Sequence, residues 1–283
     1  MLKTVEILIP PHASGDADFL KRTIAKKIQI APSQINHISV LRRSIDARKP
    51  PVKLRLLAAV YTGEERFTEI PFTYTIQHVH QSPAVVIIGA GPAGIFAALT
   101  LIEHGIKPII LERGKEIQAR KLDIAQLNRN HLLNPDSNYC FGEGGAGIFS
   151  DGKLYTRATK RGDVKRILNL LVWHGADPDI LVDAHPHIGS DKLPPLIGNI
   201  RKTILEAGGE IHYNTRAEAF VQKGKALAAV VDQRGTHYEA AQYILATGHS
   251  ARDIYQLFHN NQWAIEAKPF ALGVRVEHPQ SLI

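Results

Sequence analysis

The chain holds a single cysteine, Cys140, among 283 residues. One thiol excludes an internal disulfide framework and suits a reducing, cytoplasmic setting. The N-terminus, MLKTVEILIP, has too short an apolar segment and too early a proline for a secretory signal. A membrane span is also not expected. The run Ala84 to Ile102 is uncharged, but Gly89, Gly91, Pro92 and Gly94 interrupt it, and no comparable second run exists. His185 and His187 are separated by Pro186 and have no clear third ligand, so no metal site is expected. Residues 1 to 80 carry 12 Lys/Arg against 7 Asp/Glu, which concentrates the net charge of +7 there. The cluster Arg42, Arg43, Arg48, Lys49 and Lys53 has no aromatic platform beside it. It reads as a solvated basic face, and nucleic acid is not an expected partner.

What is present centres on Ala84 to Gly114, AVVIIGAGPAGIFAALTLIEHGIKPIILERG. The β-branched run Ala84 to Ile88 predicts a buried parallel strand that ends at Gly89. Gly89 permits a tight turn and Gly91 lets backbone approach a pyrophosphate. Gly94 lets the helix Gly94 to Glu103 lie close on the strand. Pro92 and Ala93, between the second and third glycines, are counted with the cofactor-binding residues, and Gly105 caps the helix. The second strand, Lys107 to Leu111, ends in Glu112, whose carboxylate can accept hydrogen bonds from an adenosine ribose. Glu112 argues against a 2′-phosphate, while the neighbouring Arg113 leaves that question open.

Around this unit the pattern is ordered. Thr4 to Ile9, Asp16 to Ile28, Ile35 to Ala47 and Val52 to Tyr61 predict a βαββ unit of ferredoxin-like type, followed by the linker Gln77 to Pro83. Lys115 to Asn130 has helical composition, with Ile117, Leu122, Ile124 and Leu127 as apolar anchors. Phe141 to Leu154, FGEGGAGIFSDGKL, offers a glycine-rich backbone that can lie flat against a ligand, and its Phe141, Ile148 and Phe149 are poor choices for a solvated linker. Helices follow at Asp163 to Trp173 and Lys192 to Ala207, then a strand at Glu210 to Asn214. Ala217 to Gln222, Ala226 to Asp232 and Thr236 to Ala240 predict a three-stranded meander. It leads into the strand Tyr243 to Ala246, which ends in Thr247 and Gly248. A helix at Ala251 to His259 and a strand at Phe270 to Glu277 come last.

This order resembles the glutathione-reductase-type FAD flavoproteins. In that family the GAGPAG helix holds the pyrophosphate, the acid ending the second strand holds the ribose, and an ATG-like turn follows the meander. Gly89, Gly91, Gly94, Glu112 and Ala246 to Gly248 match those positions, and Ala217 matches the one whose backbone meets adenine. The sequence is similar, more closely, to a family of FAD-dependent dehydrogenases (NAD(P)/FAD-dependent oxidoreductases) with a small N-terminal domain. The segments SIDARKPP (Ser44 to Pro51), FGEGGAGIFSDGKL, HPHIGSDKLP (His185 to Pro194) and ATGHSARD (Ala246 to Asp253) carry that likeness. It implies that Gly145, Ala146 and Lys153 lie nearest the flavin and that Arg120 reaches the cofactor from its helix. The family has Thr where this chain has Ile148, and Gln where it has Cys140. With no partner thiol, Cys140 is read as a bystander and not as half of a redox disulfide.

The expected fold is α/β: a Rossmann-like FAD-binding domain (81–262) with a parallel sheet and a meander, preceded by a small α+β domain (1–80). Residues 263–283 are expected to begin a substrate domain, leaving the chain incomplete as an enzyme. Residues 1–80 are expected to be dispensable for flavin binding, because every motif matched to the cofactor lies after Pro83. FAD is the expected cofactor of an oxidoreductase acting on a small molecule. No second GxGxxG follows a predicted strand, so a separate NAD(P)H domain is not expected and an NAD(P)H donor would visit transiently. The rival readings are an NAD-binding dehydrogenase and a non-catalytic flavin-containing binding or redox-sensing module. No catalytic residue is assigned, and neither is an oligomeric state.

Overall fold

In the computed structural model the described residues are 1–68, 70–150, 152–154, 162–269, 271, 273–274 and 276–282. They divide into two compact units, Met1–Gly248 and His249–Ile283. The sequence reading instead divides the chain after residues 80 and 262.

The first unit begins with strand β1 (Leu2–Ile9), helix α1 (Ala17–Ile28), and strands β2 (Ile35–Asp46) and β3 (Lys53–Thr62). Asp16 caps α1, its side chain accepting the Phe19 N–H at 2.8 Å. The strands form an antiparallel sheet in the order β1-β3-β2. This is a split βαβ, in which α1 crosses over β3 to link the two outer strands. Leu20 and Ile24 of α1 meet Val5, Ile7, Ile9, Leu56 and Val60 in one buried cluster. Each such aliphatic side chain contributes about 1.5 to 3 kcal/mol on burial.

Strand β4 (Ala84–Ile88), helix α2 (Pro92–Glu103) and strand β5 (Lys107–Leu111) build the parallel unit foreseen from the glycine spacing. The four-stranded parallel sheet has the order β10-β4-β5-β6, with β6 at Glu210–His212 and β10 at Gln242–Leu245. Successive side chains on a strand face opposite ways, and the two faces are covered differently. Ile87 and Ile110 pack with Leu99 and Ile102 of α2, and with Ile200 and Ile204 of helix α5 (Leu193–Glu206). Val86, Ile88 and Leu111 pack instead with Ala217 and Val230 of an antiparallel meander, β7 (Ala217–Lys223), β8 (Ala226–Asp232) and β9 (His237–Glu239). The linker before β4 is not loose. The Tyr74 hydroxyl donates to Leu99 O at 2.7 Å, and Val79 is fully buried.

Helix α3 (Ile117–Asn130) buries Ile117 and Ile124, but Leu122, expected as an anchor, is 69% exposed. The third buried position is Arg120, which lies on the same face at i+3 from Ile117. Helix α4 (Val164–Trp173) is capped by Asp163. In the second unit, helix α6 (Arg252–Asn260) is followed by Trp263, whose ring stacks on Phe258 at 5.0 Å. The strand expected over 270–277 lies in part outside the described residues. Those of its residues that are described belong to no strand. Among the described residues no helix is long and apolar enough to cross a membrane.

Candidate functional site

The C-terminal edge of the parallel sheet gathers the glycine turn, the second glycine segment and the ATG turn. Gly89 has a φ of 110°, and a Cβ there would lie 2.4 Å from Ala246 O. Only glycine fits between the ends of β4 and β10. Thr247 and Gly248 follow at the same edge, with Gly248 exposed. Gly91 is the N-cap of α2, no side chain caps that end, and Pro92 and Ala93 are exposed. Uncapped N–H groups at a helix start attract anions.

The second glycine segment is no flexible surface loop. It closes into a 3-10 turn, Gly145–Phe149, that buries Ile148 and lies on the first turn. The Gly144 N–H donates to Ala90 O at 3.0 Å. Gly145 has a φ of 64°, and a Cβ added there would lie 3.0 Å from Gly91 Cα and 3.1 Å from Pro92 Cδ. A Cβ at Gly91 would meet only Gly145 Cα, at 3.8 Å, within 4 Å among the described residues. Ala146 and Gly147 are exposed beside it. An open glycine cradle at an uncapped helix N-terminus fits a pyrophosphate.

Glu112 ties these parts together. It is 5% exposed, its Oε2 accepts the Ala90 N–H at 2.7 Å, and its Oε1 accepts Gly114 N–H at 2.8 Å and Gly142 N–H at 2.9 Å. The carboxylate therefore fastens the first turn to the second segment, a task the sequence reading did not foresee. Three of its roughly four lone-pair positions are used.

Arg120 also has a task other than the expected one. It is fully buried, and its Nε donates to Asn138 O at 3.0 Å, Nη1 to Glu143 O at 2.7 Å and to Gly142 O at 3.2 Å, and Nη2 to Tyr139 O at 3.2 Å. Its guanidinium lies over the Phe149 ring at 4.9 Å. Burial lowers its pKa to about 10. Arg120 shapes the backbone of residues 138–143 from beneath instead of reaching outward to a ligand.

Arg113 stacks over Phe141 at 4.1 Å and pairs with Asp136 at 2.8 Å. Arg216, one residue before Ala217, pairs with the same Asp136 at 2.9 Å. Burial raises the Asp136 pKa, but hydrogen bonds from Arg113 and Arg216 outweigh it and hold the carboxyl below the ordinary value. Ala217 is itself buried at the start of the meander. Lys153 is exposed, and its backbone bridges to that of His187.

The residue that sequence reasoning missed is Glu143, 2% exposed between two glycines. Its Oε2 accepts the Ile117 N–H at 3.0 Å and Arg201 Nη1 at 3.1 Å, and its Oε1 accepts the Tyr213 hydroxyl at 2.7 Å. Burial, with the Glu143 charge added, pushes the Tyr213 phenol up, so it stays a donor. An acid in the middle of a glycine-rich segment was the available signal.

Comparison with known proteins adds family information to this geometry. Residues 82–135 match a family model described as an FAD binding domain, and residues 1–61 match one described as a domain of unknown function (DUF8436). An uncharacterized protein of Clostridium beijerinckii is 38% identical over 286 residues, covering 95% of this chain and 53% of that protein. The chain thus spans about half the length of that relative. A dual trans-enoyl reductase/FAD-dependent monooxygenase of Aspergillus terreus is 41% identical over 56 residues, 20% of this chain and 8% of that protein. Among solved structures, THI4 of Thermovibrio ammonificans aligns with a TM-score of 0.40 at 17% identity, covering 65% of this chain and 63% of that one. L-amino acid deaminase of Proteus vulgaris aligns with a TM-score of 0.39 at 13% identity, covering 71% and 53%. The chain carries an FAD-binding domain of Rossmann-like α/β fold, and FAD is its cofactor.

Proposed function

We propose that this chain belongs to an FAD-dependent oxidoreductase of glutathione-reductase type. It would act on a small-molecule substrate in a cytoplasmic setting, with an NAD(P)H donor visiting transiently. The observation that carries this reading is the seating of Gly145 on Gly91 and Pro92 at the start of α2. That seating gives one exposed strip of backbone, Pro92, Ala93, Ala146 and Gly147, beside the uncapped helix end.

In this reading the α2 N-terminus receives the pyrophosphate, and its dipole favours the negative charge. Glu112 holds the two glycine segments in register and offers its remaining acceptor position to the adenosine ribose. Ala217 backs the adenine, Ala246 to Gly248 border the pyrophosphate, and Gly145, Ala146 and Lys153 lie toward the ring. Arg120 and Glu143 hold the second glycine segment without touching the cofactor. Bound FAD would supply the hydride or electron transfer.

The test is the visible spectrum of the purified or FAD-titrated chain, with heat-released cofactor identified by chromatography. The expected result is noncovalent FAD. A chain that binds FMN in its place, or NAD and no flavin, overturns the proposal. Reduction of the bound flavin by NADH or NADPH under anaerobic conditions, followed by turnover with artificial acceptors, separates an oxidoreductase from a structural flavoprotein.

A further inference from the structure

Support for the candidate cofactor face reaches well outside residues 82–135, and one line of it starts in the N-terminal sheet. β2 is an outer strand, and an outer strand leaves N–H and C=O groups unpaired along one edge. At Arg43 that edge is covered. Its N–H donates to Val182 O at 2.7 Å, and its C=O accepts from Ala184 N–H at 2.8 Å, a parallel bridge of strand type. The side chain grips the same segment, Nε donating to Asp183 Oδ1 at 2.7 Å and Nη2 to Asp179 Oδ2 at 2.7 Å. A planar fork held by two carboxylates fixes direction as well as distance. Within the basic cluster read as a solvated face, Arg43 is thus tied to a distant segment, whereas Arg48 pairs with the nearby Asp46.

The gripped segment continues toward the cofactor face. Pro186 O accepts the Leu154 N–H at 2.8 Å, and the Ile188 N–H donates to Gly152 O at 3.0 Å. The Gly152 N–H donates to Ser150 Oγ at 3.1 Å, and Ser150 Oγ donates to Gly147 O at 2.6 Å. Gly147 belongs to the same short turn as Gly145, which rests on Gly91 and Pro92. Backbone hydrogen bonds, with the Ser150 hydroxyl as the last relay, therefore link β2 to the turn that lies against the start of α2.

We infer that Arg43 is a positioning residue for the cofactor face: by fixing Val182–Ala184 to β2 it sets where Gly152–Leu154, and with them the turn Gly145–Phe149, lie against the N-terminus of α2. This rests on reading that face as the FAD site. Residues 1–80 then form part of the support for the site and are not dispensable to it.

The experiment titrates FAD into the 283-residue chain and into Arg43→Ala, Arg43→Lys and Arg55→Ala, recording affinity and the visible circular dichroism of bound flavin. Arg55 pairs with Glu6 and Asp46 inside the N-terminal sheet, so its loss perturbs that sheet without touching Val182–Ala184. Arg43→Ala should weaken FAD binding about fivefold and change the flavin dichroism, the scale of mutations along a coupled contact path. Arg43→Lys should recover part of both, because it keeps the charge and loses the fork. Arg55→Ala should change neither. Wild-type affinity and dichroism in Arg43→Ala overturn the inference, and so does an equal loss in Arg55→Ala. If Arg43→Ala is unfolded, the pair Asp179→Asn with Asp183→Asn removes both carboxylate partners and keeps the backbone bridge. The same fivefold loss is expected there, and an unchanged affinity overturns the inference. A wild-type chain that binds no FAD overturns the cofactor reading itself, and this inference with it.

Discussion

Replacing Glu112 tests the central join of the site, and two substitutions separate what its oxygens do. In Glu112→Ala three buried N–H groups, of Ala90, Gly114 and Gly142, lose their acceptor. Each stranded donor costs about 1 to 3 kcal/mol, and water entering the vacated space offsets part, so a total of about 4 kcal/mol is expected. A 283-residue chain unfolds with an entropy of roughly 0.6 kcal/mol/K, so that loss lowers Tm by about 7 °C. In Glu112→Gln one oxygen survives. It will occupy the Oε1 position, which serves two donors, and turn its NH2 toward the Ala90 N–H. Only one bond is then lost, at about 1 to 2 kcal/mol and about 3 °C. Thermal unfolding of the two variants without added FAD measures this order directly. FAD titration should show the alanine variant weaker by about 1 to 3 kcal/mol, since the glycine turn loosens and, in the proposed reading, an acceptor for the ribose goes with it. If both variants melt with the wild type, Glu112 does not hold the two glycine segments together.

The remaining expectations concern packing and protonation. In Gly94→Ala the new Cβ would lie 1.9 Å from Gly89 O, a backbone atom that cannot swing away, so the chain should lose about 3 kcal/mol or more in urea unfolding. Wild-type stability there would refute the close seating of α2 on the first turn. Arg120→Met should strand the carbonyls of Asn138, Tyr139, Gly142 and Glu143 and cost about 3 kcal/mol. Faster proteolysis or amide exchange in residues 138–149 would locate the effect, and unchanged exchange there would count against it. His174 is 3% exposed, its Nε2 has no hydrogen-bond partner among the described residues, and burial lowers its pKa below the ordinary 6.5. The unfolded chain therefore takes up the proton first, so the stability contributed by the neutral ring is present above 6.5 and is lost as pH falls below it. Between about pH 7.5 and about pH 5.5 the wild type should lose more Tm than His174→Gln, and parallel curves would show that His174 does not contribute.

The parallel unit was legible because its geometry leaves few choices. A five-residue apolar strand, glycines where backbones touch, and an acid at the next strand end can be satisfied by one arrangement. The meander was legible from the strand pattern, and the helices read from Asp16 and Asp163 begin one residue later, with those two residues as their caps. The partners of the charged groups were less so. Glu112 was read as facing a ligand, because sequence shows the end of a strand but not the loop that folds over it thirty residues later. Arg120 could have been placed inside from its spacing, since 117, 120 and 124 share one helix face. Arg120 was instead assigned to the cofactor through the family resemblance, and Leu122 was taken as an apolar anchor. The Arg43 contact with Val182–Ala184 joins segments about 140 residues apart, and nothing local in either segment signals it.

One consequence of the seam between Gly89 and Ala246 concerns synthesis. β4 has β5 as its neighbour on one side and β10 on the other, and β10 leaves the ribosome roughly 160 residues after β4. At about 5 to 20 residues per second, roughly 8 to 30 s pass during which β4, entirely apolar, has one side open. The nascent chain can form the glycine turn and α2 early, yet the socket that receives Gly89 does not exist until Ala246 is made. Slowing translation between β6 and β10 should therefore increase aggregation of the nascent chain, whereas slowing it after Gly248 should not.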